Sequence, residues 1–193
     1  MKILIRHFTE QDVPLRTALL HEDSFQANLT DFAVTTGDDE LTRGQLRTIA
    51  EQQDTKRIYT ATRADGQVIG FLWVTDLDWR SQCCELSFAL LPRYRGGFGP
   101  PTINAARGYL YDELNMQVVI DQVLEHNTML HSSDEMQELS RVRCAYDSYT
   151  VGSWRTARFW TRRVAAFREW RAAEQRRRVD LSARIRSAIE EGT

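Results

Sequence analysis

Residues 70–99 read GFLWVTDLDWRSQCCELSFALLPRYRGGFG, and this stretch decides the fold. One β-rich run ends at Val74, a second covers Cys83 to Leu91, and Asp76-Leu77-Asp78-Trp79-Arg80-Ser81 lies between them. The second run passes directly into Pro92-Arg93-Tyr94-Arg95-Gly96-Gly97-Phe98-Gly99-Pro100-Pro101, a Gly/Pro-rich loop that marks a change of element. Beyond it, Ile103, Ala106, Leu110 and Leu114 recur at helical spacing. Val118 to Leu124 then returns to the strongly apolar pattern of an interior strand. Upstream, Arg57 to Thr62 and Gln67 to Val74 are separated by a turn containing Ala64-Asp65-Gly66, a hairpin signal. Residues 56–91 are therefore expected to form an antiparallel meander of three strands. With a strand–loop–helix–strand unit appended to it, the chain predicts an α+β, mixed α/β fold.

The flanks fit this frame. Ile3 to Phe8 reads as a first strand, followed by Thr9 as an N-cap with Asp12 three residues on, an imperfect capping box. Val13, Leu15, Ala18 and Leu19 form a short apolar face, residues 21–40 read mostly as loop, and Leu41 to Gln53 reads as a helix. With 193 residues, 42% of them hydrophobic and 27% charged, one domain with a substantial core is expected. No run approaches the roughly 18–20 apolar residues that span a bilayer, and the N-terminal MKILIRHFTEQD lacks the pattern of a secretory signal. Cys83, Cys84 and Cys144 show no metal-ligand spacing, so a reduced, cytoplasmic protein without a structural metal is expected. From Trp154 to Thr193 eleven Arg face five Asp or Glu, a balance of +6; the total of −2 leaves −8 for residues 1–153. The chain is an acidic body with a basic tail.

A glycine-rich turn between strand and helix lets backbone N–H groups converge on an anion, aided by the helix N-terminus. Arg95 adds a cation suited to phosphate oxygens. The same composition also serves plain connectors. Pro100 and Pro101 lack N–H groups and cannot join such a nest, and the residue before a proline is biased toward extended geometry. The helix is accordingly expected to begin with Pro101 at its first position.

The meander, the loop, its helix, the following strand with its trailing Asn127, and the opening Ile5-Arg6-His7-Phe8-Thr9-Glu10-Gln11-Asp12-Val13-Pro14 together resemble the GNAT superfamily of N-acyltransferases. The nearer likeness is to the branch of ribosomal-protein Nα-acetyltransferases and amino-sugar N-acetyltransferases. The resemblance covers about residues 3–127 and implies acetyl-CoA, or another acyl-CoA, as co-substrate. The family's loop motif, Gln/Arg-x-x-Gly-x-Gly/Ala, is best matched by Tyr94-Arg95-Gly96-Gly97-Phe98-Gly99, with Tyr at the first position. The resemblance places the pyrophosphate on the amides of Arg95, Gly96, Gly97, Phe98 and Gly99. The pantetheine arm would lie beside Ala89, Leu90 and Leu91, and Asn127 would contact it.

Acyl transfer to an amine requires a base for the amine, stabilisation of the oxyanion and a proton for the departing thiolate. Strand alternation puts Glu85, Ser87 and Ala89 on one face and Leu86 and Phe88 on the other. Glu85 then reads either as the base the family carries on this strand or as a solvated strand residue, with Ser87 beside it on the acceptor side. The family's acid is a Tyr seven residues after the Asn; here that position is Asp134, with His131, Ser132 and Ser133 as neighbouring substitutes. Tyr146, Tyr149 and Trp154 read as acceptor-site wall or as aromatic core.

Residues 1–153 are thus expected as the acyltransferase domain, and residues 154–193 as a basic amphipathic helical extension. In the extension Trp160, Val164 and Phe167, then Leu181, Ile185 and Ala188, recur at helical spacing around Arg176-Arg177-Arg178. It would pack on the body or pair two subunits in a homodimer; nucleic-acid contact is the less favoured reading, since no base-reading motif accompanies the arginines. The leading expectation is acyl transfer to a primary amine of a small molecule, such as an amino sugar or amino acid, or of a protein N-terminus. The alternatives are a non-catalytic CoA-binding or scaffold protein of the same fold, and an enzyme using an aminoacyl-tRNA or carrier-protein donor.

Overall fold

The computed structural model describes residues 2–26, 36–51, 54–124, 145–150 and 153–191. Strand β1 (Ile3–His7) leads through a 3-10 turn (Glu10–Asp12) into α1 (Val13–Leu20) and the single turn α2 (Asp23–Gln26). Helix α3 (Asp38–Glu51) starts three residues before the sequence expectation, because the Gly37 carbonyl accepts the N–H groups of Glu40 and Leu41. Strands β2 (Arg57–Arg63), β3 (Val68–Asp78) and β4 (Cys83–Leu90) form the expected antiparallel meander, with β1 paired to β2. The β2–β3 turn is closed by the Gly66 N–H to the Arg63 carbonyl, with Gly66 at φ +85°, a conformation glycine adopts without a Cβ clash. Helix α4 (Gly99–Asp112) and strand β5 (Val118–Leu124) follow, then β6 (Ala145–Thr150) and β7 (Ser153–Arg163). The seven strands lie in the order β1-β2-β3-β4-β5-β7-β6, so this is the expected mixed α/β fold.

Two corrections to the sequence expectations follow from local physics. Helix α4 begins at Gly99, not Pro101, and holds both prolines in its first turn; the first intrahelical bond runs from the Thr102 N–H to the Phe98 carbonyl. Residues at the second and third helical positions have no intrahelical partner for an N–H, so proline forfeits nothing there. The helix expected from residue 154 is instead strand β7 up to Arg163, and helix α5 (Val164–Glu191) starts only after it. The chain divides into two compact units, Met1–Thr161 and Arg162–Thr193. Within the second, α5 exposes Val179, Leu181, Ile185 and Ile189 at 52–64%.

The sheet has two distinct faces. Cross-strand partners share a face, so Ile58, Trp73 and Ser87 align, as do Thr60, Phe71 and Ala89, and Thr75 with Glu85. This face meets the α1 side: Phe8 packs edge-on to Phe71, Phe25 stacks on Trp73, and the Thr60 hydroxyl donates to Asp12. The other face carries Tyr59, which packs against Tyr109 of α4, together with Leu72 and Val74. Asp12 joins β1, the 3-10 turn and β2. Its buried carboxylate accepts two bonds from Arg6, two from Thr9 and one from Thr60. Burial alone would raise its pKa, but these donors outweigh burial and hold it below the ordinary value.

Candidate active site

Strand β4 sets the site. It pairs with β3 along its length, down to Gly70 opposite Leu90, and a further bond joins the Leu91 N–H to the Ile69 carbonyl. On its other side the parallel ladder to β5 runs only from Cys83↔Val118 to Leu86↔Asp121. Beyond that register no β4–β5 pairing is present among the described residues, so the two strands part beside Ser87, Ala89 and Leu90. The glycine loop follows directly on this end of β4.

The loop itself begins with a 3-10 turn (Pro92–Tyr94) and reaches α4 through Gly97 at φ +92°. The Arg95 N–H bonds the Pro92 carbonyl and the Gly97 N–H bonds the Arg95 carbonyl. The amides of Gly96, Phe98 and Gly99 make no hydrogen bond among the described residues. A Cβ placed on Gly96, Gly97 or Gly99 would meet nothing within 4 Å, so the loop is not packed against its neighbours on that side. Three unpartnered amides in an open loop at a helix start fit an anionic group such as a pyrophosphate.

The Arg95 side chain does not face that space. Its guanidinium forms an ion pair with Glu22, donates to Ser24, and donates from Nε to the Leu90 carbonyl at 3.2 Å. The bond from Arg95 pulls the Glu22 carboxyl down to about 2. Arg95 therefore clasps the α1–α2 corner to the end of β4, and the anion-facing part of the loop is its backbone. No local signal in the sequence reveals this pairing, because Glu22 lies 73 residues from Arg95.

Glu85 is half-buried on β4, on the same face as Ser87, Trp73 and Thr75. Burial pushes its carboxyl up, and the charges of Asp76 and Asp121 push it further. Asp76 sits at φ +49° where the β3–β4 register shifts between Thr75 and Asp78, and Asp121 is bonded to Arg107 at 2.8 Å. Neither acid was singled out by sequence, although β5 alternation puts Asp121 two positions from Val119 on the strand beside Glu85. Cys84 points to the opposite face, where burial pushes its thiol to about 12. Among the described residues no group of three His, Cys, Asp or Glu is placed to hold a metal, and no helix is long and apolar enough to cross a membrane.

Asn127, His131 and Asp134 lie outside the described residues. Tyr146 and Tyr149 fall on β6, opposite Ala157 and Trp154 of β7 respectively.

A parted parallel strand pair and a glycine loop leading into a helix are the arrangement that the resemblance to N-acyltransferases implies. A family model described as "Acetyltransferase (GNAT) domain" matches residues 2–131. The chain belongs to the GNAT acetyltransferase family and is an N-acetyltransferase of that family. A search of curated protein sequences finds no match. Among solved structures, the spermidine N-acetyltransferase from Vibrio cholerae in complex with CoA and spermine superposes with a TM-score of 0.73 at 15% identity, covering 86% of this chain and 97% of its own. A dodecameric structure of spermidine N-acetyltransferase from Vibrio cholerae in an intermediate state gives 0.65 at 16% identity, covering 83% and 93%. At these identities the likeness bears on the fold.

Proposed function

We propose that the protein transfers an acetyl group from acetyl-CoA to the primary amine of a small molecule, with Glu85 taking the amine proton. The observation that carries this reading is the early end of the β4–β5 ladder next to open, unpartnered loop amides. The amides of Gly96, Phe98 and Gly99 would hold the pyrophosphate, and the backbone of Ser87–Leu90 on the β5 side would hold the pantetheine arm. Asn127 is our further candidate for a contact to that arm. When bound, acetyl-CoA supplies a thioester-activated acetyl group.

Glu85 suits the base role because its raised pKa brings the carboxylate closer in basicity to an ammonium group. The charge of Asp76 adds to that of Glu85 and favours a cationic amine. His131 or Asp134 would return a proton to the departing thiolate, and Ser87, Tyr146 and Tyr149 would wall the acceptor. The family and the small-amine substrates named for its structural neighbours support a small-molecule acceptor over a protein N-terminus. The thiols of Cys83 and Cys84 are free, which suits a cytoplasmic setting.

Calorimetry with acetyl-CoA and CoA tests the donor; absence of binding by both removes the donor assignment. Acetylation of a panel of small amines and N-terminal peptides tests the acceptor, and activity confined to peptides overturns the small-molecule reading. Glu85→Gln is expected to lower kcat about 100-fold or more with little change in acetyl-CoA affinity. An unchanged kcat removes Glu85 as base.

A further inference from the structure

Arg16 of α1 is 4% exposed, and its guanidinium lies 4.6 Å from the centre of the Trp73 ring and 5.9 Å from that of Phe8. A guanidinium carries five N–H donors. Here Nη1 donates to the Gln45 side-chain oxygen at 2.9 Å, Nε is buried without a partner, and Nη2 makes no bond among the described residues. No carboxylate pairs with it there. The buried Asp12 is already engaged by Arg6, Thr9 and Thr60, and Glu22 by Arg95. Burial, and then the like charge of Arg16, lower the pKa of Lys56. Desolvation lowers the Arg16 pKa to about 9, which still leaves it cationic at neutral pH.

A buried arginine without an anion is costly for a fold, and aromatic stacking offsets only part of that cost. The vacant Nε–Nη2 side is the side of a guanidinium that receives a carboxylate through two parallel bonds. Its position relates it to the chemistry. Trp73 is opposite Ser87 on β4, and Glu85 is opposite Thr75, two residues along on the same face. Strand geometry puts the Trp73 and Glu85 backbones roughly 8 Å apart. Trp73, which covers the guanidinium, is itself only half-buried.

We propose that Arg16 is a specificity-determining residue which receives a carboxylate of the acceptor, so that the preferred substrate is an amine that also carries a carboxylate. The site is then polar end to end, with Glu85 toward the amine and Arg16 toward the anion. A polycationic acceptor would place its second ammonium against Arg16. This inference rests on the acyl-transfer reading above.

The test compares ε-aminocaproate, hexylamine and hexamethylenediamine, which present a carboxylate, a methyl and an ammonium at the end remote from the reacting amine. With acetyl-CoA, kcat/KM of the wild type is expected to favour ε-aminocaproate over each of the others by about 10- to 100-fold. In Arg16→Gln the ratio should collapse to within about threefold of unity through KM, and Arg16→Lys, which keeps the charge but not the fork, should recover only part of it. A wild-type preference for hexylamine or the diamine overturns the inference, as does an Arg16→Gln variant that lowers all three substrates equally. The wild-type comparison decides the matter even where the variants fail to fold. If none of the amines is acetylated, the function proposed above is what fails. Thermal melts of the wild type with ε-aminocaproate and with hexylamine then read Arg16 alone: protection by the first and not the second supports it, and equal effects refute it.

Discussion

An alanine at position 70 would bring its Cβ to 2.3 Å from the Ala89 carbonyl oxygen and 3.0 Å from the Leu90 Cα. Both are backbone atoms of β4, so neither can rotate away, and the strands must part until the shorter distance reaches at least 3.0 Å. Overpacking of this kind costs about 1–3 kcal/mol. The adjacent bond from the Leu91 N–H to the Ile69 carbonyl, 2.9 Å in length, is stretched by the same movement, which adds about 1 kcal/mol. Alanine regains about 0.4–1 kcal/mol by narrowing the unfolded ensemble. The net loss is about 2–3 kcal/mol, or roughly 5–10 °C in Tm for a chain of this size. Gly44 is the control. It lies within α3 and a Cβ there meets nothing within 4 Å, so Gly44→Ala should gain about 0.5–1 kcal/mol. Urea unfolding followed by circular dichroism measures both. The reasoning is refuted if Gly70→Ala is as stable as the wild type, or if the two substitutions move the midpoint in the same direction.

The Glu22 carboxyl, held at about 2 against an ordinary 4.5 by its bond to Arg95, stabilises the fold above pH 4.5, and that stability is lost as pH falls through about 2. After a discount for solvent screening this amounts to about 1–2 kcal/mol; Glu22→Gln should lose that amount at pH 7, and melts should converge with the wild type under acid. The raised pKa of Glu85 places the acid limb of the kcat/KM profile above the ordinary carboxylate range; a limb at the ordinary value, or one that survives Glu85→Gln, contradicts the base assignment. The apolar stripe of α5 is our candidate for self-association. Light scattering should show an oligomer that Leu181→Glu with Ile185→Glu reduces to the 22.4 kDa monomer, and an unchanged mass excludes α5.

The meander was legible because period-2 alternation and the Ala64-Asp65-Gly66 turn are local signals, and β5 because its apolar run has no competing helical pattern. The helical spacing of Trp160, Val164 and Phe167 misled because it straddles an element boundary: Trp160 belongs to β7 and the other two to α5. On α1 the expected apolar face included Leu15, which is 38% exposed, while Arg16 is buried with Val13, Leu19 and Leu20. Residue chemistry points the wrong way there, and only the placement of Trp73 and Gln45, remote in sequence, explains the burial. Glu85 and the glycine loop stand out as candidates through their neighbours in the chain. The charges that tune Glu85 and the acid that clasps Arg95 come from other elements, and no short window contains them.

The unfinished ladder between β4 and β5 leaves the sheet with two raw edges in its interior. Edges are where foreign strands attach, and proteins ordinarily blunt or cover them. On the proposed function, an extended amide-bearing arm between the two edges would do the work of a missing strand, so the contact that seats the donor would also close the sheet. A ligand at about a hundred times its Kd contributes about 2.7 kcal/mol to the folded state. If CoA occupies the gap between β4 and β5 as proposed, added CoA should slow precipitation of the protein, and an unchanged rate would count against it.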